Sequence, residues 1–484
     1  MYHISDLKKF LRCERLYFYS MDEANVFRPY LHNDKNINEL LIKYFRIDNY
    51  YEGIRNDNPA RFIDNFNNYE WFIHPRLADG ELRINIPLIH KKENNIIDIY
   101  YIYYSNSIRE LDTLSYRIGL DILNKQGFEV DDIYVICFNP DYRNEGELDV
   151  EKLFIVTNEL KGKRIIDLSR KNDTDYLEVI QRMENGSIDS SQIKKTRYCK
   201  LNGLCDYYDE CFPEESGKDI DSILTLVTSQ NKVRMYEQGI EHLKDADVSL
   251  LEGNRVQYAQ IMASRNGGLY IDRLALKKWL DRISERPISF IDFEWDRYLI
   301  PEYRGMKPLD VVCFEFALYY IDEEGHMEHR TFIGSGDCRK EFVEALLEYV
   351  PDKGPILAYN AIGAEALRLK ELAEIYPEYH DDLYRIIDRF VDLAYPFMEG
   401  LIYDTRMEGD FTLKKLVDIC SEYSYKSLDI YDGMEAVFSW RNIAKSDEDG
   451  TREIVDNLRE YCSLDAYGLF LVYRWLIKLM IESK

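Results

Sequence analysis

Pro287-Ile-Ser-Phe-Ile-Asp-Phe-Glu-Trp295 is a short hydrophobic run that carries two acids two residues apart. Side chains of a β-strand alternate between faces, so Ile288, Phe290, Asp292 and Glu294 share one face and Ile291, Phe293 and Trp295 the other. Two carboxylates thus point the same way from an otherwise apolar strand. Burying like charges side by side is costly unless they are neutralised, and a divalent cation is the usual neutraliser. An edge strand with stray acids gives the same pattern, and the rest of the chain decides between the two.

Downstream, Leu309 to Ile321 and Glu328 to Ile333 read as two further strands. A helix over Arg339 to Tyr349 leads into Pro355-Ile-Leu-Ala-Tyr-Asn360, and another helix starts near Gly363. Three meandering strands followed by alternating helix and strand resemble the ribonuclease H-like α/β fold. Glu365 opens that second helix, four residues before Leu369 and seven before Leu372, beside the apolar stripe. The last long helix gathers Leu458, Tyr461, Cys462, Asp465, Leu469 and Val472 on one side. Asp465 is therefore an acid on a face expected to be buried, with Tyr461 its neighbour one turn earlier. Asp392, after Arg389-Phe-Val, reads as a turn or helix-start residue.

The order Asp-x-Glu, then Asn-x4-Glu, then Tyr-x3-Asp resembles the three motifs of the DEDD 3′-to-5′ exonucleases in their tyrosine subclass. The resemblance covers most of residues 287 to 475. Ile356-Leu-Ala-Tyr-Asn, Arg389-Phe-Val-Asp-Leu, Thr412-Leu-Lys, Ile430-Tyr-Asp-Gly-Met and Glu460-Tyr-Cys-Ser-Leu-Asp resemble blocks of a bacterial family that fuses such a domain to a RecB-like iron-sulfur domain. The resemblance implies two-metal phosphodiester hydrolysis of DNA or RNA with Mg²⁺ or Mn²⁺. Asp292, Glu294 and Asp465 would hold one ion, Asp292 and Glu365 the other, and Tyr461 would orient the attacking water. The chain departs from the broader superfamily at Glu365, where aspartate is usual.

Upstream, Ile4 to Phe18 reads as an amphipathic helix with Ser5 as N-cap and Cys13 within it. Strands near 82–88, 96–104 and 132–138 and a helix near 111–125 make residues 1–215 an α/β domain. It closes with Cys199, Cys205 and Cys211 at C-x5-C-x5-C, and thiolates with Cys13 as a fourth ligand suit iron-sulfur or zinc. One cysteine in the first helix and three at the domain's end resemble the iron-sulfur version of the RecB-like PD-(D/E)xK nuclease fold, which favours a [4Fe-4S] cluster. The nuclease motif itself is degenerate: Asn85 stands at the first acid, and Tyr101 and Tyr103 at the acid and lysine, with Glu81 and Asp98 nearby.

Glu214-Glu-Ser-Gly-Lys-Asp suggests a linker. Helical periodicity over Lys232 to Leu243 and Asp272 to Ile283, with Gly239 as a stop, makes 216–283 a small helical connector to the exonuclease-like domain at 284–484. The formal net charge of −26 argues against coating nucleic acid by bulk electrostatics but leaves room for a local basic groove. No apolar run reaches the roughly 18 residues of a membrane span, and the start lacks a signal peptide's apolar region, so a cytoplasmic location is expected. Nine cysteines, an odd count, argue against a disulfide framework. Two functions compete: a metal-dependent exonuclease, and a catalytically silent nucleic-acid-binding or scaffold protein with a structural cluster.

Overall fold

The computed structural model describes residues 2–22, 30–193, 199, 205–213, 221–425 and 428–482. The expected linker at 214–219 lies outside them. The chain divides into two units, Met1–Lys194 with Arg297–Asp310, and Lys195–Asp296 with Val311–Lys484. Both are mixed α/β.

The first unit holds a six-stranded sheet in the order Tyr50–Glu52, Trp71–Ile73, Leu88–Lys91, Ile96–Ile102, Glu129–Phe138, Phe154–Thr157. Ile96–Ile102 and Glu129–Phe138 are parallel, so the chain must cross over between them, and the helix Thr113–Lys125 makes that crossing. Their alternating Ile97, Ile99, Ile133 and Val135 pack into one core with Ile118, Ile122 and Phe72. Leu82–Asn85 lies in a separate three-stranded sheet with Tyr2–His3 and Arg76–Asp79. The opening helix runs Ile4–Arg12, breaks at extended Cys13 and resumes as Glu14–Tyr19. Its cap is His3 rather than Ser5. The helix begins two residues earlier than the Ser5 cap requires; His3 Nδ1 accepts from the Ser5 N–H, and Asp6 reaches back to the His3 N–H at 2.8 Å.

Residues 297–310 fold with this unit. The His32 N–H donates to the Arg297 carbonyl at 2.7 Å, and the Asn144 side chain donates to the Pro301 carbonyl at 2.9 Å.

In the second unit, β1 (Ile288–Arg297), β2 (Val311–Ile321) and β3 (Met327–Ile333) are followed by α1 (Arg339–Tyr349) and β4 (Ile356–Ala358). Then come α2 (Glu365–Ile375), α3 (His380–Ile387), β5 (Phe390–Asp392), α4 (Leu413–Cys420), α5 (Gly433–Ile443) and α6 (Glu448–Glu482). The sheet order is β3-β2-β1-β4-β5, with β2 and β3 antiparallel and β1, β4 and β5 parallel. The parallel pairs are joined through helices, α1 before β4 and α2 with α3 before β5, because a hairpin cannot join parallel strands. Ile291 and Phe293 pack on one side against Phe316, Phe342, Leu346 and Leu369. On the other face the Phe290 ring lies 5.6 Å from that of Phe470 on α6. The stripe expected on α6, from Leu458 to Val472, is buried at all six positions.

Connector helices form at Lys232–Glu237, Arg255–Arg265 and Arg273–Asp281, and Gly239 takes φ 84° just past the first. The strand Leu269–Ile271 pairs antiparallel with Ile402–Asp404, which ties this segment into the second unit. Among the described residues, no helix is long and apolar enough to cross a membrane.

Candidate active site

Strand alternation sends Asp292 and Glu294 from β1 toward the face that α6 covers, and α6 brings Asp465 to them. One ligand oxygen from each of the three lies within 4.8 Å of the others. Glu294 and Asp465 are 9% and 6% exposed, while Asp292 is half-buried and the most accessible. The Cys462 thiol, one turn before Ala466, faces Asp292 and reaches its backbone carbonyl at 3.6 Å.

Glu365 is positioned by the turn that leaves β4. Asn360 adopts φ 56°, its N–H donates to Asp392 Oδ1 at 2.9 Å, and Ala394 donates to the same oxygen. Asp392 is the last residue of β5 rather than the turn or helix-start residue its context suggests, and it serves the Asn360 turn through its side chain. Glu365 then opens α2, only 3% exposed. It stands outside the set of three within 4.8 Å, yet its charge acts on both Asp292 and Glu294. Its Oε2 is buried without a hydrogen-bond partner.

Crowding of acids in a dry site favours their neutral forms. Burial, then Asp465 and Glu294, holds the Asp292 carboxyl well above the carboxylate range. Burial and Asp465 do the same for Glu294, opposed by Lys414. Asp465 is raised by burial and held back by hydrogen bonds from Tyr425 and Tyr461 and by Lys414. Burial pushes Glu365 up to about 8. Burial and Asp465 also raise Tyr461 and Tyr425, so both phenols remain donors.

Four contributors are not marked by motif spacing. Asp296, the next residue on the Asp292 face, is fully buried and gripped by the Arg441 guanidinium at 2.6 and 2.8 Å; extending the period-two pattern one step would have found it. Glu315 in β2 is fully buried with both carboxylate oxygens unpartnered, and burial pushes it up to about 8. Lys414 on α4 sits 4.9 Å from the Tyr461 ring centre and 5.0 Å from that of Tyr425. Tyr425 donates to Asp465.

The positions of the degenerate motif in the first unit hold no metal-binding arrangement among the described residues. Asn85 contacts His74 at 3.1 Å, Tyr103 donates to the Glu110 carbonyl, and the Tyr101 hydroxyl is buried without a partner. Asp98 is buried on Lys92 at 2.9 Å and Glu81 is exposed. His32, Asp34 and Glu302 do converge in this unit, but Asp34 is 76% exposed and water competes for it. Cys13 belongs to the first unit and Cys199, Cys205 and Cys211 to the second; each is half-buried and free of disulfides.

A family model described as a domain of unknown function (DUF2779) matches residues 289–412. That span carries Asp292, Glu294 and Glu365 and ends before Tyr461 and Asp465. No curated protein and no solved structure matches the chain.

Proposed function

We propose that the second unit is a metal-dependent 3′-to-5′ exonuclease of the DEDD type, acting on DNA or RNA in the cytoplasm. The observation that carries this reading is the convergence of Asp292, Glu294 and Asp465 within 4.8 Å, in a site dry enough to raise all three. Sheet order β3-β2-β1-β4-β5 with an antiparallel β2–β3 hairpin supports the ribonuclease H-like fold that this activity implies.

The donor set fits hard divalent cations. All four acids offer oxygen, the chemistry Mg²⁺ and Mn²⁺ prefer, and the orphaned Glu365 Oε2 is a buried acceptor in need of a partner. Asp292, Glu294 and Asp465 would hold one ion, and Asp292 with Glu365 a second. Bound there, the ions would acidify water and neutralise the scissile phosphate's developing charge. Tyr461, its hydroxyl proton directed to Asp465, would orient the attacking water by accepting from it through the phenol oxygen. Tyr425 and Lys414 would hold Asp465 in its ionised, ligating form.

The first unit is read as a RecB-like platform without nuclease chemistry. The resemblance assigns Cys13, Cys199, Cys205 and Cys211 to a [4Fe-4S] cluster, or to zinc; four half-buried thiols outside any disulfide suit either. Broad visible absorbance in anaerobically purified protein supports the cluster, and stoichiometric zinc without colour overturns it.

The place of Glu365 outside the three-acid set favours the second reading, a catalytically silent binding module. One assay separates the two: digestion of 5′-labelled single-stranded DNA and RNA with Mg²⁺ or Mn²⁺, for wild type, Asp292→Asn and Asp465→Asn. A ladder shortening from the 3′ end, absent in both variants, establishes the exonuclease. No cleavage by folded wild type establishes the silent module.

A further inference from the structure

A groove of about 740 Å³ opens in the second unit between the start of β1, the end of α4 and the last turns of α6. Arg286, Arg474 and Lys478 line it, together with Phe470, Tyr473 and Trp475, and among the described residues no carboxylate does. The three cations are exposed, while Phe470 is buried and Tyr473 and Trp475 are half-buried. Phe470, Arg474 and Lys478 follow one another at intervals of four on α6, so they form a single stripe along the helix. The Arg474 guanidinium stands 5.4 Å from the Phe470 ring centre, and Arg286 is close enough to Tyr473 for its charge to act on the phenol.

The groove lies along the same strand face as the acid centre, with buried Phe290 between the two. Phe290 lies two residues before Asp292 on the same strand face and packs against both Phe470 and Tyr473, at 5.6 and 5.5 Å. Ile288, next on that face, lines the groove. Four strand residues from Ile288 to Asp292 span about 13 Å, at most about four phosphates at the roughly 3.4 Å rise of stacked bases. In a chain with net charge −26, the charged side chains that line this groove are cations, and the Arg286 guanidinium also lies beside Gly325 of the acidic turn Asp322-Glu323-Glu324-Gly325.

We infer that this groove holds the single-stranded portion of a nucleic acid whose end lies at the acid centre, its phosphates on Arg286, Arg474 and Lys478 and its bases against the rings. Cations tracking a backbone beside aromatic faces are the means by which proteins bind single strands without regard to sequence. The orientation of the strand toward Asp292 rests on the exonuclease reading; the binding itself does not.

The test is fluorescence anisotropy of a labelled oligothymidylate with the full chain and no added metal, so that binding is read without hydrolysis. Arg474→Ala/Lys478→Ala is expected to weaken binding about tenfold at low salt. The slope of log affinity against log salt should fall by about 0.7 per charge removed. Arg286→Gln, before β1, should add to both effects, whereas Lys340→Ala, at an exposed position of α1, should change neither. Thermal melting checks that each variant is folded. Absence of binding by wild type, or unchanged affinity and slope in the triple variant, overturns the inference. Groove-dependent binding by a wild type that never cleaves overturns the nuclease reading alone; cleavage with groove-independent binding overturns this inference alone.

Discussion

Tyr425 donates a 2.6 Å hydrogen bond from its hydroxyl to Asp465 Oδ1, across forty residues of sequence. Asp465 is buried among other acids, and this bond is the first of the influences that hold its pKa down. Tyr425→Phe removes the donor and leaves the ring, so Asp465 should keep its proton more tightly and yield it less readily to a metal. Partners of this kind are worth roughly 10- to 100-fold in metal affinity. Titration of Mn²⁺ into the variant by calorimetry should show a loss in that range; unchanged affinity would show that Tyr425 does not tune the ligand.

Asp292 is the acid shared by both implied ion positions. Ligands that bind only the folded state raise its melting temperature by mass action. Saturating Mn²⁺ should therefore raise the melting temperature of wild type by several degrees, and Asp292→Asn should abolish the rise. Asn removes one of the like charges, so the metal-free variant should melt no lower than metal-free wild type. A full Mn²⁺ shift in Asp292→Asn would place the bound ion elsewhere.

Much of this site was legible in the sequence because its parts lie on regular elements. Period two put Asp292 and Glu294 on one face of β1, and the 3.6-residue period put Tyr461 and Asp465 on the buried side of α6; both patterns survive in the fold. Tyr425 was not legible, and Lys414 stood in the block Thr412-Leu-Lys with no role attached to it. Tyr425 lies in a 3-10 turn outside any α-helix or strand, and Lys414 is an ordinary cation at the start of α4, so only tertiary packing brings them to Asp465. The His3 cap was missed for a related reason. Serine is a better generic cap than histidine, but the strand Tyr2–His3 pairs with Leu82–Asn85 and sets the helix start two residues early. The folding of residues 297–310 with the first unit depends on long-range backbone bonds to His32 and Asn144, which leave no local periodicity.

Asp296 has no exposure at all, and Arg441 holds it bidentately from α5. Removing one partner of such a pair strands the other charge in a dry site, at a cost of roughly 3 to 5 kcal/mol. Arg441→Ala should lower stability to urea by that amount, and Asp296→Asn by less, because Asn remains neutral and can still accept from the guanidinium. Equal and small losses in both would mean that the pair is solvated in solution.

Glu315 supplies a pH dependence with a definite sign. It lies on the β2 face near Asp292 and Glu294 of β1 and Cys462 of α6, with Arg459 the cation that opposes its shift. In the folded chain it keeps its proton up to about 8, whereas the unfolded chain releases it near the ordinary glutamate value. Between those two values the folded state binds more protons, so stability is greatest at the acid end and is lost as pH rises through about 8. One proton corresponds to at most about 1.4 kcal/mol per pH unit. Glu315→Gln, neutral throughout, should match wild type near the acid end and exceed it in alkaline buffer by a few kcal/mol at most, measured by urea denaturation without metal. Asp292, Glu294 and Glu365 will keep a residual slope in the variant, which saturating Mn²⁺ should flatten further. Parallel stability curves for variant and wild type across the range would show that Glu315 is already ionised in the folded protein.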